Sequence, residues 1–86
     1  MYYIYILQSK KDNKLYVGCT RDLRKRIKMH NCGEIFSTKL RRPLDLIYYE
    51  AYQNKKDAFC RETFLKTGWG RNYIKRALTY YFKHDA

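Results

Sequence analysis

At 86 residues the chain can bury one hydrophobic core, and halves of it would be too small to do so without metals or disulfides, so one domain over residues 1–86 is expected. Hydrophobic residues at 45% and charged residues at 31% fit a globular protein, and no apolar run approaches the roughly 20 residues that span a bilayer. Nineteen Lys and Arg against eight acids give a formal net charge of +11, which selects polyanionic partners, nucleic acid foremost, over basic ones. No charged segment followed by an apolar run and a small-residue cleavage site opens the chain, so a cytoplasmic location is expected.

Residues 2–8 are β-branched and aromatic on both faces, as in a strand covered on each side. Lys10-Lys11-Asp12-Asn13 is a polar turn of hairpin length, and residues 14–20 return as the second strand. Strand alternation places Tyr3, Tyr5 and Leu7 on one face of the first strand and Tyr16, Gly18 and Thr20 on one face of the second. Whether the two faces coincide depends on hairpin register, which alternation leaves open.

Thr20 or Asp22 caps a helix from about Leu23 to Asn31, and Cys32-Gly33 stops it. Leu23 and Ile27 form its apolar stripe, while Arg26 and His30, four apart, share a face bordering that stripe. Arg24 and Lys25 lie on the remaining surface as candidate nucleic-acid contacts. A loop through Phe36-Ser37-Thr38-Lys39-Leu40-Arg41-Arg42, closed by Pro43, adds Lys39, Arg41 and Arg42 to these candidates. An ordinary solvated loop is the alternative reading.

Residues 44–52 alternate as a third strand, with Leu44, Leu46 and Tyr48 on one face and Ile47, Tyr49 and Ala51 on the other. Asn54 and Asp57 start a helix from Lys55 to about Thr67 that carries Ala58, Glu62 and Leu65 on one side. Gly68-Trp69-Gly70 interrupts the pattern, Trp69 is expected to plug the helix junction, and a last helix runs from about Arg71 to Lys83. It presents Tyr73 or Ile74, Ala77, Leu78 and Tyr81. The expected fold is therefore α+β: a β-hairpin, a helix, a third strand completing a small antiparallel sheet, and two helices packed on it.

The three cysteines, Cys19, Cys32 and Cys60, show no CxxC spacing and read as reduced thiols. A zinc site from Cys19, His30, Cys32 and Cys60 is disfavoured, because structural zinc uses closely spaced ligand pairs.

Tyr3-Ile4-Tyr5, then Tyr16-Val17-Gly18, then Arg26, His30 and Glu62 in that order resemble the GIY-YIG nuclease pattern over residues 2 to about 83. The likeness is to the small standalone bacterial members, which share stretches such as Arg42-Pro43-Leu44, Leu46-Ile47-Tyr48-Tyr49-Glu50-Ala51 and Leu65-Lys66-Thr67-Gly68-Trp69. Tyr3 stands where the name-giving glycine would be, and Asn72 aligns loosely with an asparagine that some members use near the site.

That resemblance implies hydrolysis of a DNA phosphodiester with one divalent metal, Mg²⁺ or Mn²⁺, held by Glu62. The residues agree: such ions accept one protein oxygen and fill their shell with water and phosphate. A two-metal site would need several converging acids, whereas Asp12, Asp22, Asp57 and Asp85 read as turn, cap or tail residues, leaving Glu62 and, secondarily, Glu50. By the same resemblance Tyr16 activates the attacking water, Arg26 stabilises charge on the phosphoryl oxygens, His30 relays a proton or holds Tyr16, and Tyr5 orients water or phosphate. A free tyrosine has a pKa of about 10, so this role needs cationic neighbours or metal-bound water. Each residue also has a plainer reading: Tyr5 and Tyr16 as sheet packing, Arg26 as a solvated charge, His30 as a helix-dipole partner, and Glu62 as a bridge to Lys66 worth about 0.3–0.5 kcal/mol.

The expectation is a metal-dependent endonuclease acting on structured or single-stranded DNA in repair or recombination. The alternative is a nucleic-acid-binding module, for DNA or RNA, that cuts slowly or not at all. Larger nucleases of the superfamily carry separate targeting domains, so selectivity here would come from substrate shape, a protein partner or the loop from Phe36 to Arg42. Oligomeric state is left open.

Overall fold

Strand β1 (Tyr2–Ser9) runs through the centre of a three-stranded antiparallel sheet, flanked by β2 (Leu15–Thr20) and β3 (Leu44–Tyr52) in the order β2-β1-β3. The computed structural model describes residues 1–83, so Asp85, read above as a tail residue, lies outside the described residues. Helices α1 (Leu23–Asn31), α2 (Lys55–Leu65), α3 (Gly68–Ala77) and α4 (Thr79–Lys83) complete the fold, with a 3-10 turn at Lys39–Arg41 inside the basic loop. None of the described helices is long and apolar enough to cross a membrane. The α+β class and the antiparallel sheet agree with the expectation.

The hairpin register settles what alternation could not. Tyr3 pairs with Thr20, Tyr5 with Gly18 and Leu7 with Tyr16; directly opposed residues point to the same side of a sheet. Both tyrosine-bearing faces therefore coincide. The turn that sets this register is built on Ser9, whose hydroxyl accepts from the backbone N–H groups of Lys11 and Asp12 and donates to the carbonyl of Arg41 at 2.6 Å.

Each face of β1 has its own core. On one, Tyr5, Leu7 and Leu44 are buried with Tyr16 and, from α1, Leu23 and Ile27. On the other, Ile4 and Ile6 meet Ala58 and Leu65 of α2 and Ile74 of α3. Asp22 caps α1 by accepting from Lys25 N at 3.1 Å, and Gly33, with φ +82°, ends the turn that follows the helix.

Several expectations are corrected. In β3 the alternation breaks: Leu7 pairs with Leu46 but Ile6 with Tyr48, so a bulge intervenes. Leu46 and Tyr48 therefore lie on opposite faces, because the extra residue reverses the phase. Second, the helix break falls at Lys66-Thr67 rather than in the glycine pair. The Thr67 hydroxyl accepts from Gly70 N at 3.1 Å and donates to the Phe64 carbonyl at 2.6 Å, so it caps the start of α3 and the end of α2 together. Third, Trp69 does not plug the junction, since it is 79% exposed. Gly70 occupies the crossing instead: a Cβ there would lie 2.8 Å from the Leu65 carbonyl carbon and closer still to Phe64 O. The last helical stretch also divides at Leu78, whose φ −114° and ψ 38° leave the helical region, giving α3 and α4. Ile74 is buried with Leu78 and Phe82 packed against its cluster, while Ala77 and Tyr81 face outward.

Candidate active site at the edge of the sheet

Tyr5 is the hub of the site. It sits mid-strand in β1 and is 1% exposed, its ring lying over Gly18 of β2. A Cβ on Gly18 would stand 2.9 Å from Tyr5 Cε1 and closer to Cζ and Oη, so the glycine exists here to make room for the phenol. Burial pushes the Tyr5 phenol well above its usual range; the Tyr16 phenol and the Glu62 carboxylate add to this and Arg26 opposes it. Tyr16, Arg26 and Glu62 thus each lie within electrostatic reach of Tyr5.

Behind Tyr5 runs a buried polar chain. Tyr5 Oη and His30 Nε2 are 2.8 Å apart, and His30 Nδ1 and Thr38 Oγ1 are 2.7 Å apart. His30 and Thr38 are both fully buried. The apolar stripe of α1 carries His30 into the core one turn after Ile27 and Arg26, and the turn at Ile35–Thr38 carries the hydroxyl to it. Burial first, and Arg26 second, hold the His30 pKa below its ordinary value, so the ring is neutral and bridges one donor and one acceptor. Its hydrogen bond goes to Tyr5, not Tyr16; Tyr16 meets the imidazole edge-on with ring centres 5.0 Å apart.

The groups open to a ligand are Tyr16, Arg26 and Glu62. Tyr16 lines a cavity of about 180 Å³ with Lys66 and Arg71. Glu62 reaches the same sheet edge from α2, with its side chain 17% exposed and its carboxylate 3.2 Å from Lys66 Nζ. Cys19 of β2 lies in the same field: burial raises its thiol pKa and Glu62 adds to this, while Arg26, Lys55 and Lys66 pull it down. The site therefore straddles β2, receiving Arg26 and His30 from the helix on one face and Glu62 from the helix on the other.

Tyr5, Tyr16, Arg26, His30 and Glu62 are brought together here, and Thr38 and Arg71 join them without any local signal in the sequence. Thr38 was only one hydroxyl of a basic loop, and nothing local marks it as buried. Arg71 carried no role because its place beside Tyr16 depends on how α3 crosses α2.

The predicted nucleic-acid contacts are scattered. Arg24 lines an open groove of about 590 Å³ with Tyr3, Arg21 and Tyr49, and Lys25 is exposed on α1. Lys39 lies over the Phe36 ring at 5.7 Å. Arg41 and Arg42 have structural partners: Arg41 pairs with Asp12 at 3.3 Å, and Arg42 Nε donates to the Lys39 carbonyl at 2.8 Å.

Glu50 lies elsewhere. Arg61 grips it through two N–H groups at 2.8 and 2.9 Å, and Tyr48 and Tyr52 donate to the same carboxylate. Burial would raise its pKa, but these four donors bring it down to about 2. Arg61 in turn stacks over Tyr73 at 4.6 Å, which makes this a structural network joining β3, α2 and α3. Asn72 lines a surface cavity with Trp69, Arg71 and Lys75, among which none of the five site residues appears. The cysteines are free, and among the described residues no group of three or more His, Cys, Asp or Glu is placed to hold a metal.

The α+β domain thus brings a buried Tyr5–His30 pair and the half-buried Arg26 and Glu62 to the hairpin edge, the set of residues that carries the resemblance described above. The profile of the GIY-YIG catalytic domain matches residues 1–75, and the chain belongs to that family, which is a family of nucleases acting on nucleic acid. It is 47% identical over 68 residues to a UPF0213 protein of Clostridium perfringens, covering 77% of this chain and 71% of that one. A UPF0213 protein of Staphylococcus saprophyticus is 45% identical over 67 residues, covering 77% and 80%. Among solved structures, the solution NMR structure of a UPF0213 protein from Bacillus halodurans matches with a TM-score of 0.54 and 32% identity, covering 86% of this chain and 82% of that one.

Proposed function

We propose that the protein is a divalent-metal-dependent endonuclease that hydrolyses phosphodiester bonds in structured or single-stranded DNA, in a repair or recombination setting. The observation that carries this reading is the grouping of Tyr16, Arg26 and Glu62 around Tyr5, backed by the Tyr5–His30–Thr38 chain.

The donor set fits one hard ion and no more: Glu62 offers a single carboxylate in a part-open position. When bound, Mg²⁺ or Mn²⁺ supplies charge neutralisation at the scissile phosphate. The chain's own residues do the rest. Tyr16, at the open cavity, sits where an attacking water can be oriented and its proton taken. Arg26 makes no ion pair among the described residues, so its guanidinium is available for the phosphoryl oxygens. Tyr5 and His30 are too buried to touch substrate. They act as positioning residues: the buried, protonated phenol of Tyr5 fixes the imidazole, and the imidazole edge fixes the ring of Tyr16. In the tautomer with hydrogen on Nδ1, His30 donates to Thr38 and accepts from Tyr5.

One observation favours the competing reading, a binding module that does not cut: Lys66 already neutralises Glu62. The experiment that decides incubates duplex, single-stranded and branched DNA with the protein and Mg²⁺ or Mn²⁺. Tyr16→Phe and Glu62→Ala are each expected to reduce cleavage at least 100-fold while leaving DNA binding within threefold, on the scale set by removing one transition-state donor. Wild-type protein that binds all three substrates and cuts none would establish the binding module.

A further inference from the structure

Three open cavities follow one another from Tyr16 and share their walls. The first, about 180 Å³, is lined by Tyr16, Lys66 and Arg71. The second, about 640 Å³, is lined by Lys14, Arg41, Arg71 and Lys75 together with Asp12. The third, about 410 Å³, is lined by Trp69, Arg71, Asn72 and Lys75. Arg71 belongs to all three and Lys75 to the last two, so they form one track.

Lys66 and Arg71 stand over an otherwise apolar floor of Ile6, Leu15, Val17, Leu65 and Ile74 in the first cavity, cations predominate in the second, and the track ends on an aromatic face. Its two nearby carboxylates are already engaged, Asp12 by Arg41 at 3.3 Å and Glu62 by Lys66 at 3.2 Å. Lys14, Arg71 and Lys75 make no ion pair among the described residues. Arg71 and Lys75 stand one helical turn apart, about 6 Å along α3, and so address successive positions of an extended polyanion. Trp69 is 79% exposed, and the packing of α2 on α3 does not need it, because Gly70 makes that contact. Exposed aromatics are common singly; Phe36 and Tyr80, each 86% exposed, are such cases. What separates Trp69 from them is its position at the end of a cationic path that begins at Tyr16.

We infer that this track binds an unpaired strand of nucleic acid, with Lys14, Arg71 and Lys75 on the phosphates and a base stacked on Trp69, and leads it to Tyr16. A duplex keeps its bases inside, so a stacking platform selects single strands. The inference rests on the proposed nuclease reading for where the strand ends, but not for its binding.

Trp69 is the only tryptophan of the chain, so its own fluorescence reports the contact. The full chain is titrated without metal with oligo(dT), oligo(rU) and a duplex of equal length. Quenching by either single strand, and several-fold less by the duplex, is expected; the two single strands separate DNA from RNA. In anisotropy, Trp69→Ala is expected to weaken single-strand binding roughly 5- to 150-fold. Arg71→Gln and Lys75→Gln each should flatten the log affinity against log salt by about 0.7. An unchanged melting temperature in Trp69→Ala establishes that the fold is intact. Single strands that do not bind, that bind without quenching, that quench no more than duplex, or that bind Trp69→Ala as tightly as wild type overturn the track. Stacking without any cleavage in metal would sink the nuclease reading alone, and cleavage indifferent to Trp69 would sink the track alone.

Discussion

His30 shows how much one residue's meaning depends on burial. At the end of a basic helix it reads as a dipole partner, yet it is fully buried between Tyr5 and Thr38 and held neutral. Its depressed pKa has a signed consequence. The unfolded chain takes up a proton as pH falls through 6.5, whereas the folded ring, facing Arg26, Tyr5, Tyr16 and Thr38, resists it. Stability is therefore full above that pH and declines as pH falls toward the folded value. Thermal melts should show this loss below pH 6.5, and His30→Gln should abolish that part of the profile; an unaltered pH profile in the variant would contradict the assignment. Glu50 acts in a separate window, its stabilisation being lost as pH falls from 4.5 toward about 2, so Glu50→Gln should flatten only the lower limb.

Among the elements, the crossing of α2 and α3 is where sequence reading and structure part. A tryptophan between two glycines invites the expectation that the bulky residue fills the gap, but it is the glycine that permits close approach. Gly70→Ala should cost about 1–3 kcal/mol, because the added methyl meets backbone that cannot step aside. Gly68→Ala meets nothing within 4 Å and should be neutral or stabilise by up to about 1 kcal/mol. Denaturant unfolding of the two variants compares them directly, and equal effects would refute this account of the crossing. The bulge in β3 has the same character: a single inserted residue puts Tyr48 and Leu46 on opposite faces, and no local pattern announces it.

For the whole molecule, the net charge of +11 makes association with polyanions a long-range property to which many side chains contribute. Affinity for DNA should fall linearly on a log scale with rising salt, with a slope steeper than about −2 if three or more phosphates are neutralised. Binding that persists unchanged from low to physiological salt would remove electrostatics as its basis. The distribution of that charge was less legible than its amount. Arg41 and Arg42, conspicuous in a basic loop, are drawn into structural bonds with Asp12 and the Lys39 carbonyl, while Arg71 emerges beside Tyr16 and Lys75 beside Arg71.

The sequence by itself determined the α+β class, the order of its main elements, the basic character and the order of Tyr5, Tyr16, Arg26, His30 and Glu62, because periodicity, caps and charge are properties of neighbours along the chain. Only the tertiary structure decided that the two tyrosine faces coincide, that Gly18 makes room for the Tyr5 ring, that Thr38 closes a buried chain and that Glu50 belongs to Arg61. Register and helix crossing set those outcomes, and both arise from packing between residues far apart in sequence.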